Sequence, residues 1–205
     1  MKKLLTILCA FMIVFSGTSL IKAQSLSYPS KNYTIQTGDS LWKIAVKNQV
    51  GVSEIVAYNP QISNPSMITT GKVIKIPDLS AIKANENEVV RLVNVERAKV
   101  GVAPLKVNWQ LSRVSRIKCE DMRDKKYFSH TSPTYGSPFD MMKNFGISYM
   151  AAGENIAMGQ VSPAEVMKSW MNSPGHKQNI LSPNYTEIGV GYASGNYWGQ
   201  MFIGK

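Results

Sequence analysis

The sequence predicts an α+β protein made of two unequal units. Three observations carry this. Residues 33 to 77 read as strand, helix, helix, strand. From Glu86 onward, apolar residues recur at helical spacing in successive segments. The chain then closes on two alternating stretches around Ser194-Gly195-Asn196, the pattern of a hairpin. Helices followed by strands indicate a layered α+β arrangement, and about 120 residues suffice for one core.

The elements follow in order. Lys2 and Lys3 precede an apolar run from Leu4 to Gly17, and Ala23 offers a small residue before a cut ahead of Gln24. That is the pattern of a secretory signal, expected over residues 1–23. The run is shorter than the ~20 residues that span a bilayer. The alternative is an uncleaved N-terminal anchor; a lipid anchor on Cys9 fits poorly, with bulky Leu8 before it and almost no apolar run ahead of it. Cleavage would leave Cys119 as the one cysteine, so no internal disulfide could form. Its helical neighbours make it a small buried hydrophobe. Loss of Lys2, Lys3 and Lys22 takes the net charge from +10 to +7. The basic residues are scattered, without the aromatic-interleaved basic run of a nucleic-acid binder. No later stretch is a membrane-span candidate.

In the first unit, "YTIQ" alternates as a strand. Asp39 or Ser40 caps a helix carrying Leu41, Ile44 and Ala45, and a second helix starts at Ser53. Pro60 and Pro65 bracket a loop, and "GKVIKIP" closes the unit as a strand. The stretches "YTIQTGDSLWKIA", "NP" at 59 and 60, and "GKVIKIP" resemble a LysM domain over residues 33–77. The resemblance implies a β-α-α-β fold that binds N-acetylglucosamine-containing glycans, peptidoglycan or chitin. The implied groove lies between the loop after the first strand and the loop after the second helix. Matched by motif, these are Gly38, Asp39, Ser40 and Leu41, and Asn59, Pro60, Gln61 and Ile62. Leu41 and Ile62 would supply apolar contact, and Asp39, Ser40 and Asn59-Pro60 would also cap or end helices. "GDSL" at 38 to 41 is in addition a lipase and esterase signature. That chemistry needs a histidine to activate the serine, supplied in that family by a late Asp-x-x-His. His130 and His176 are preceded at that distance by Tyr127 and Ser173, which excludes it.

Residues 78–85 read as a short linker and residues 86–205 as the second unit. A helix carries Val89, Leu92, Val93 and Val100 and ends at Gly101 and Pro104; Trp109 to Asp124 forms the next. Residues 127 to 138 are a polar loop, "PFDMMKNFG" a short helix, and Ser162 to Asn172 another. Two helix starts are near twins, "SPAE" at 162 and "SPGH" at 173. Ser162 with Glu165 is a capping box, with proline favoured just inside the start, so Glu165 is structural. In the second start His176 takes the glutamate's place. The positive helix terminus favours the neutral ring there, the form that ligates metal or accepts a proton.

The stretches "YFSHTSP", "GENIA", "SWMNSPGHKQNIL" and "YTEIGVGY" resemble a CAP domain, the fold of cysteine-rich secretory proteins, antigen 5 and pathogenesis-related-1 proteins, in its disulfide-free bacterial form. The resemblance implies an α-β-α sandwich whose cleft, in many members, holds two histidines and two glutamates. By motif these are His130, Glu154 and His176, while Ser173 stands about where the second glutamate would be. Glu165 lies roughly two turns too far up the helix to replace it. His130 and His176, with Glu154 nearby, form a candidate Zn²⁺ site, loose because a tight structural site takes four protein ligands. No cofactor is required by this pattern. The expectation is a secreted, wall- or spore-envelope-associated protein that holds peptidoglycan or a chitin-like glycan, with a CAP cleft that binds a ligand or partner without turnover. The alternatives are a metal-assisted hydrolase of the wall or of peptides, with Glu154 as base, and an envelope assembly protein such as a spore-coat component.

Overall fold

A computed structural model describes residues 28–205; the expected signal peptide and Cys9 lie outside the described residues. The first unit contains β1 (Ser30–Thr34), α1 (Leu41–Asn48), α2 (Val52–Ala57) and β2 (Val73–Pro77). β1 and β2 pair antiparallel, Ser30 opposite Pro77 and Thr34 opposite Val73. Helices and strands close over Leu41, Ile44, Ile55 and Ile76, each at most 1% exposed. Ser40 caps α1 by accepting from the Lys43 amide at 3.2 Å. Asp39 instead braces the preceding turn, accepting from the Gln36 amide and the Tyr33 hydroxyl, each at 2.8 Å. α2 begins one residue before the expected Ser53, because the Glu54 carboxylate reaches back to the Gly51 amide at 3.0 Å.

The segment expected as a linker is helical from Ser80 onward. α3 (Ser80–Lys99) starts at Ser80, whose amide donates to Asp78 Oδ1 at 3.1 Å, and it runs unbroken into the second unit. Leu79 is buried in the core of the first unit. Residues 80–85 are therefore the opening turns of a helix.

The second unit continues with β3 (Lys106–Val107), α4 (Trp109–Asp124), α5 (Pro138–Asn144), β4 (Ala151–Met158), α6 (Pro163–Asn172), α7 (Pro174–Leu181), β5 (Glu187–Ala193) and β6 (Tyr197–Gly204). The sheet order is β3-β5-β6-β4, with β3 parallel to β5 and the other pairs antiparallel. Its side chains alternate between two cores, as the two-residue strand period requires. Ile188, Val190, Trp198 and Phe202 pack under α3, α6 and α7. Met201 and Ile203 pack on the opposite face, under α4 and α5. This is the expected α-β-α sandwich.

The glycines of "YTEIGVGY" explain how close α4 lies. A Cβ on Gly189 would stand 2.2 Å from the Leu111 carbonyl carbon, and one on Gly191 2.2 Å from the Arg116 amide nitrogen. Helix backbone rests directly on strand backbone there. Cys119 lies beneath, buried and free, as expected of a small hydrophobe.

Two helix starts differ from expectation. Ser162 accepts from the Glu165 amide at 3.3 Å, but the Glu165 carboxylate reaches the Val161 amide at 3.0 Å, one residue beyond the capping box. Ser173 makes no side-chain cap on α7. It closes α6 and opens α7 at once, so its extended backbone makes the turn between the two helices.

Candidate functional site

The cleft of the second unit is built from α4, the loop after it, and the edge strand β4. Asp121 on α4 staples the loop by accepting from the hydroxyls of Tyr127, Ser132 and Thr134, each at 2.6 Å. Burial works to raise this carboxyl's pKa; those hydroxyls outweigh it, led by Ser132, and hold it below the usual range. Lys118, also buried on α4, donates to the His130 carbonyl at 2.8 Å and to the Tyr127 hydroxyl at 3.3 Å. Burial lowers the pKa of its ammonium, against the pull of Glu154 and Asp121. The loop is thus fixed at both ends of one short stretch, and His130 sits where these anchors put it.

β4 supplies the partner. His130 Nδ1 lies 2.7 Å from Glu154 Oε1. The imidazole is 55% exposed and the carboxylate 2% exposed. An ionised carboxylate accepts only, so Nδ1 carries the proton and Nε2 is left for a ligand. Glu154 raises the His130 pKa through this hydrogen bond, and burial opposes it. The other carboxylate oxygen, Oε2, is buried without a hydrogen-bond partner. Such an orphan is costly in an apolar setting.

His176 stands on the first turn of α7, across the edge strand. Burial lowers its pKa, and the charge of His130 lowers it further. Its backbone is pinned: Asn155 Nδ2 donates to the His176 carbonyl at 3.1 Å and to Gln200 Oε1 at 3.0 Å. Asn179 Nδ2 in turn donates to Asn155 Oδ1 at 2.9 Å. Asn155, Asn179 and Lys118 were not among the residues expected to matter. Asn155 stands inside "GENIA", and only the structure shows it on β4 facing helices, where an apolar residue would be the rule.

Among the described residues no three of His, Cys, Asp and Glu gather as a metal-binding group. His130 and His176 thus have no third such residue gathered with them among the described residues. Glu154 on the far nitrogen of His130 has the geometry of the carboxylate that orients a metal-binding imidazole.

In the first unit the candidate glycan residues divide. Gly38 and Ser40 are exposed and Asp39 partly so, with the Asp39 carboxyl held below its usual range, first by the Gln36 amide. Gly38 adopts φ +83°, a conformation glycine takes without strain. Pro60 and Gln61 are exposed and Ile62 half-buried. Leu41 and Asn59 depart from expectation, at 1% and 0% exposed. Leu41 belongs to the core. Asn59 ties α2 to β2, donating to the carbonyls of Ile55 at 2.7 Å and Lys75 at 2.6 Å. Both side chains face the interior of the first unit.

Comparison with known proteins finds two family domains along the chain. The family model of the cysteine-rich secretory protein family matches residues 90–204, and that of the LysM domain matches residues 33–77. The chain is 61% identical over 127 residues to the uncharacterized protein YkwD of Bacillus subtilis, covering 62% of this chain and 49% of the relative. It thus spans about half the length of that relative. Over 50 residues it is 44% identical to the spore coat assembly protein ExsA of Bacillus cereus, covering 24% of this chain and 8% of the relative. Among solved structures, an extracellular SCP-domain protein of Bacillus anthracis superposes with a TM-score of 0.60 at 29% identity, over 66% of this chain and 47% of the other.

Proposed function

The chain belongs to the cysteine-rich secretory protein family and carries a LysM domain ahead of the family domain; from that premise we propose that it is an exported, wall- or spore-envelope-associated protein. Its LysM half holds peptidoglycan and its CAP cleft binds a ligand or partner without turnover. The glycan reading is supported by the exposed polar turns at Gly38–Ser40 and Pro60–Gln61. The envelope reading is supported by the extracellular SCP-domain structure and the spore coat assembly relative. Among the described residues no helix is long and apolar enough to cross a membrane.

The observation that carries the non-catalytic cleft is the pairing of His130 with Glu154. The pair leaves one outward imidazole nitrogen and, among the described residues, brings no third acidic or histidine ligand alongside. A second reading rests on Glu154 Oε2, a buried oxygen without a partner. In a hydrolase that atom would take a proton from water, with Zn²⁺ held by His130 and His176 supplying Lewis acidity when bound. One experiment separates them. The purified chain is bound to peptidoglycan sacculi and release of soluble fragments is followed, for wild type and Glu154→Gln. Binding without release in both is expected. Release by the wild type alone would install the hydrolase instead.

A further inference from the structure

A groove at the junction of the two units has no part in the cleft just described. It runs along α1 from Trp42 to the Gly51 turn and is closed on its other side by Trp109, Gln110, Arg113 and Phe145. It holds about 150 Å³ of space. We propose that this groove is a second glycan subsite, continuing the LysM face onto the CAP domain. The proposal rests on the glycan-binding reading of the LysM half and extends it.

Four features favour a sugar chain as occupant. First, the groove joins the LysM face: Trp42 shares the first turn of α1 with the cap Ser40, and the Gly38 carbonyl accepts from Lys43 on that turn. An eight-residue helix gives the groove a length of about 12 Å, so a strand held at Gly38–Ser40 can run on along it. Second, its walls carry aromatic faces. Trp42 is 67% exposed on one wall, with Trp109 and Phe145 on the other, so the groove offers ring surface from both sides. Third, polar groups sit among the rings: the exposed Gln110 amide, and the Arg113 guanidinium over the Phe145 ring at 5.4 Å. A pyranose has apolar C–H faces and a rim of hydroxyls and acetamido groups. It needs flat apolar surface with a few hydrogen-bonding groups at the edge, which is what ligand sites at domain junctions offer.

The fourth is that the groove is preformed. Arg113 of α4 donates from Nε to Glu54 of α2 at 2.5 Å, bolting one wall to the other. Gly51 admits the bolt, since a Cβ there would stand 2.3 Å from the guanidinium. A fixed pair of walls spares the ligand the cost of ordering them.

The test titrates N-acetylglucosamine oligomers of two to six units into the full exported chain, and into Trp42→Ala and Trp109→Ala. Trp109 is the deciding residue because it belongs to the CAP domain. Dimer affinity, which senses only the LysM loops, also reports whether each variant is folded. The expected result is a rise in affinity with length that is lost in Trp109→Ala, by about tenfold for the hexamer, with the dimer unchanged. An affinity that does not grow with length, or grows equally in Trp109→Ala, overturns the groove and leaves the LysM reading standing. Absence of binding at every length removes both.

Discussion

The two histidines of the cleft are tuned in opposite directions, and the sign of each is testable. Glu154 raises His130 above the ordinary 6.5, so its contribution to stability is full below that value. It is lost as pH rises through the raised value. His176 is lowered, so its contribution is full above the ordinary value and is lost as pH falls to the lowered one. Only between the two midpoints does the cleft present one cationic and one neutral ring. Ring-proton NMR should show two midpoints on either side of 6.5, with His130 the higher. Glu154→Gln should bring the His130 midpoint back toward 6.5; a midpoint that does not move would refute the pairing. The residues of this site were legible only through motifs. His130 and Glu154 stand 24 positions apart, and no periodicity joins a loop to an edge strand. The buried Leu41 shows the converse limit, since a residue in a binding motif can satisfy the core first.

At the scale of elements, α4 could be read to the residue. Asn108 caps it, accepting from the Leu111 amide at 3.0 Å, and Leu111, Val114 and Met122 fall on its buried face. β4 could not be read at all. Both its faces are covered, and its middle carries Gly153, Glu154 and Asn155 where alternation would have signalled a strand. Those polar residues bond to neighbouring elements, Glu154 to His130 and Asn155 to the His176 carbonyl and Gln200. Asn155→Ala should therefore cost about 1–3 kcal/mol by stranding buried polar groups. Hydrogen exchange should speed up selectively at the start of α7; uniform loss of protection would instead mean that Asn155 only supports the core. The glycines of β5 make a sharper prediction. Gly191→Ala pushes a methyl into the α4 backbone and should destabilise by about 1–3 kcal/mol or more in urea titration. An unchanged midpoint would show that the helix can lift away freely.

The whole molecule is two units joined more tightly than the composition of the joint suggests. α3 leaves the first unit as a helix, Arg113 meets Glu54, and the Tyr28 hydroxyl donates to Glu120. Within α3 and α4, Glu86 and Arg116 form a buried two-point ion pair at 2.8 and 2.9 Å. None of these pairs is near in sequence, where the joint shows only that residues 78–85 are poor in glycine and serine. Because the Arg113–Glu54 pair is largely shielded, removing one partner should be felt. Arg113→Ala should turn one cooperative thermal transition into two, with the LysM half melting first. A single transition in the variant would mean that the helix alone couples the halves.

Only Asp78 and Leu79 lie between β2 and α3. Such a joint behaves as a bracket and not as a leash. A flexible tether would let the cleft sweep a sphere around its anchor at a moderate effective concentration. A bracket concentrates the cleft at one position and one angle and leaves it absent from every other. On the proposed function, whatever the cleft received would have to present itself at a set height above the glycan that holds the first unit.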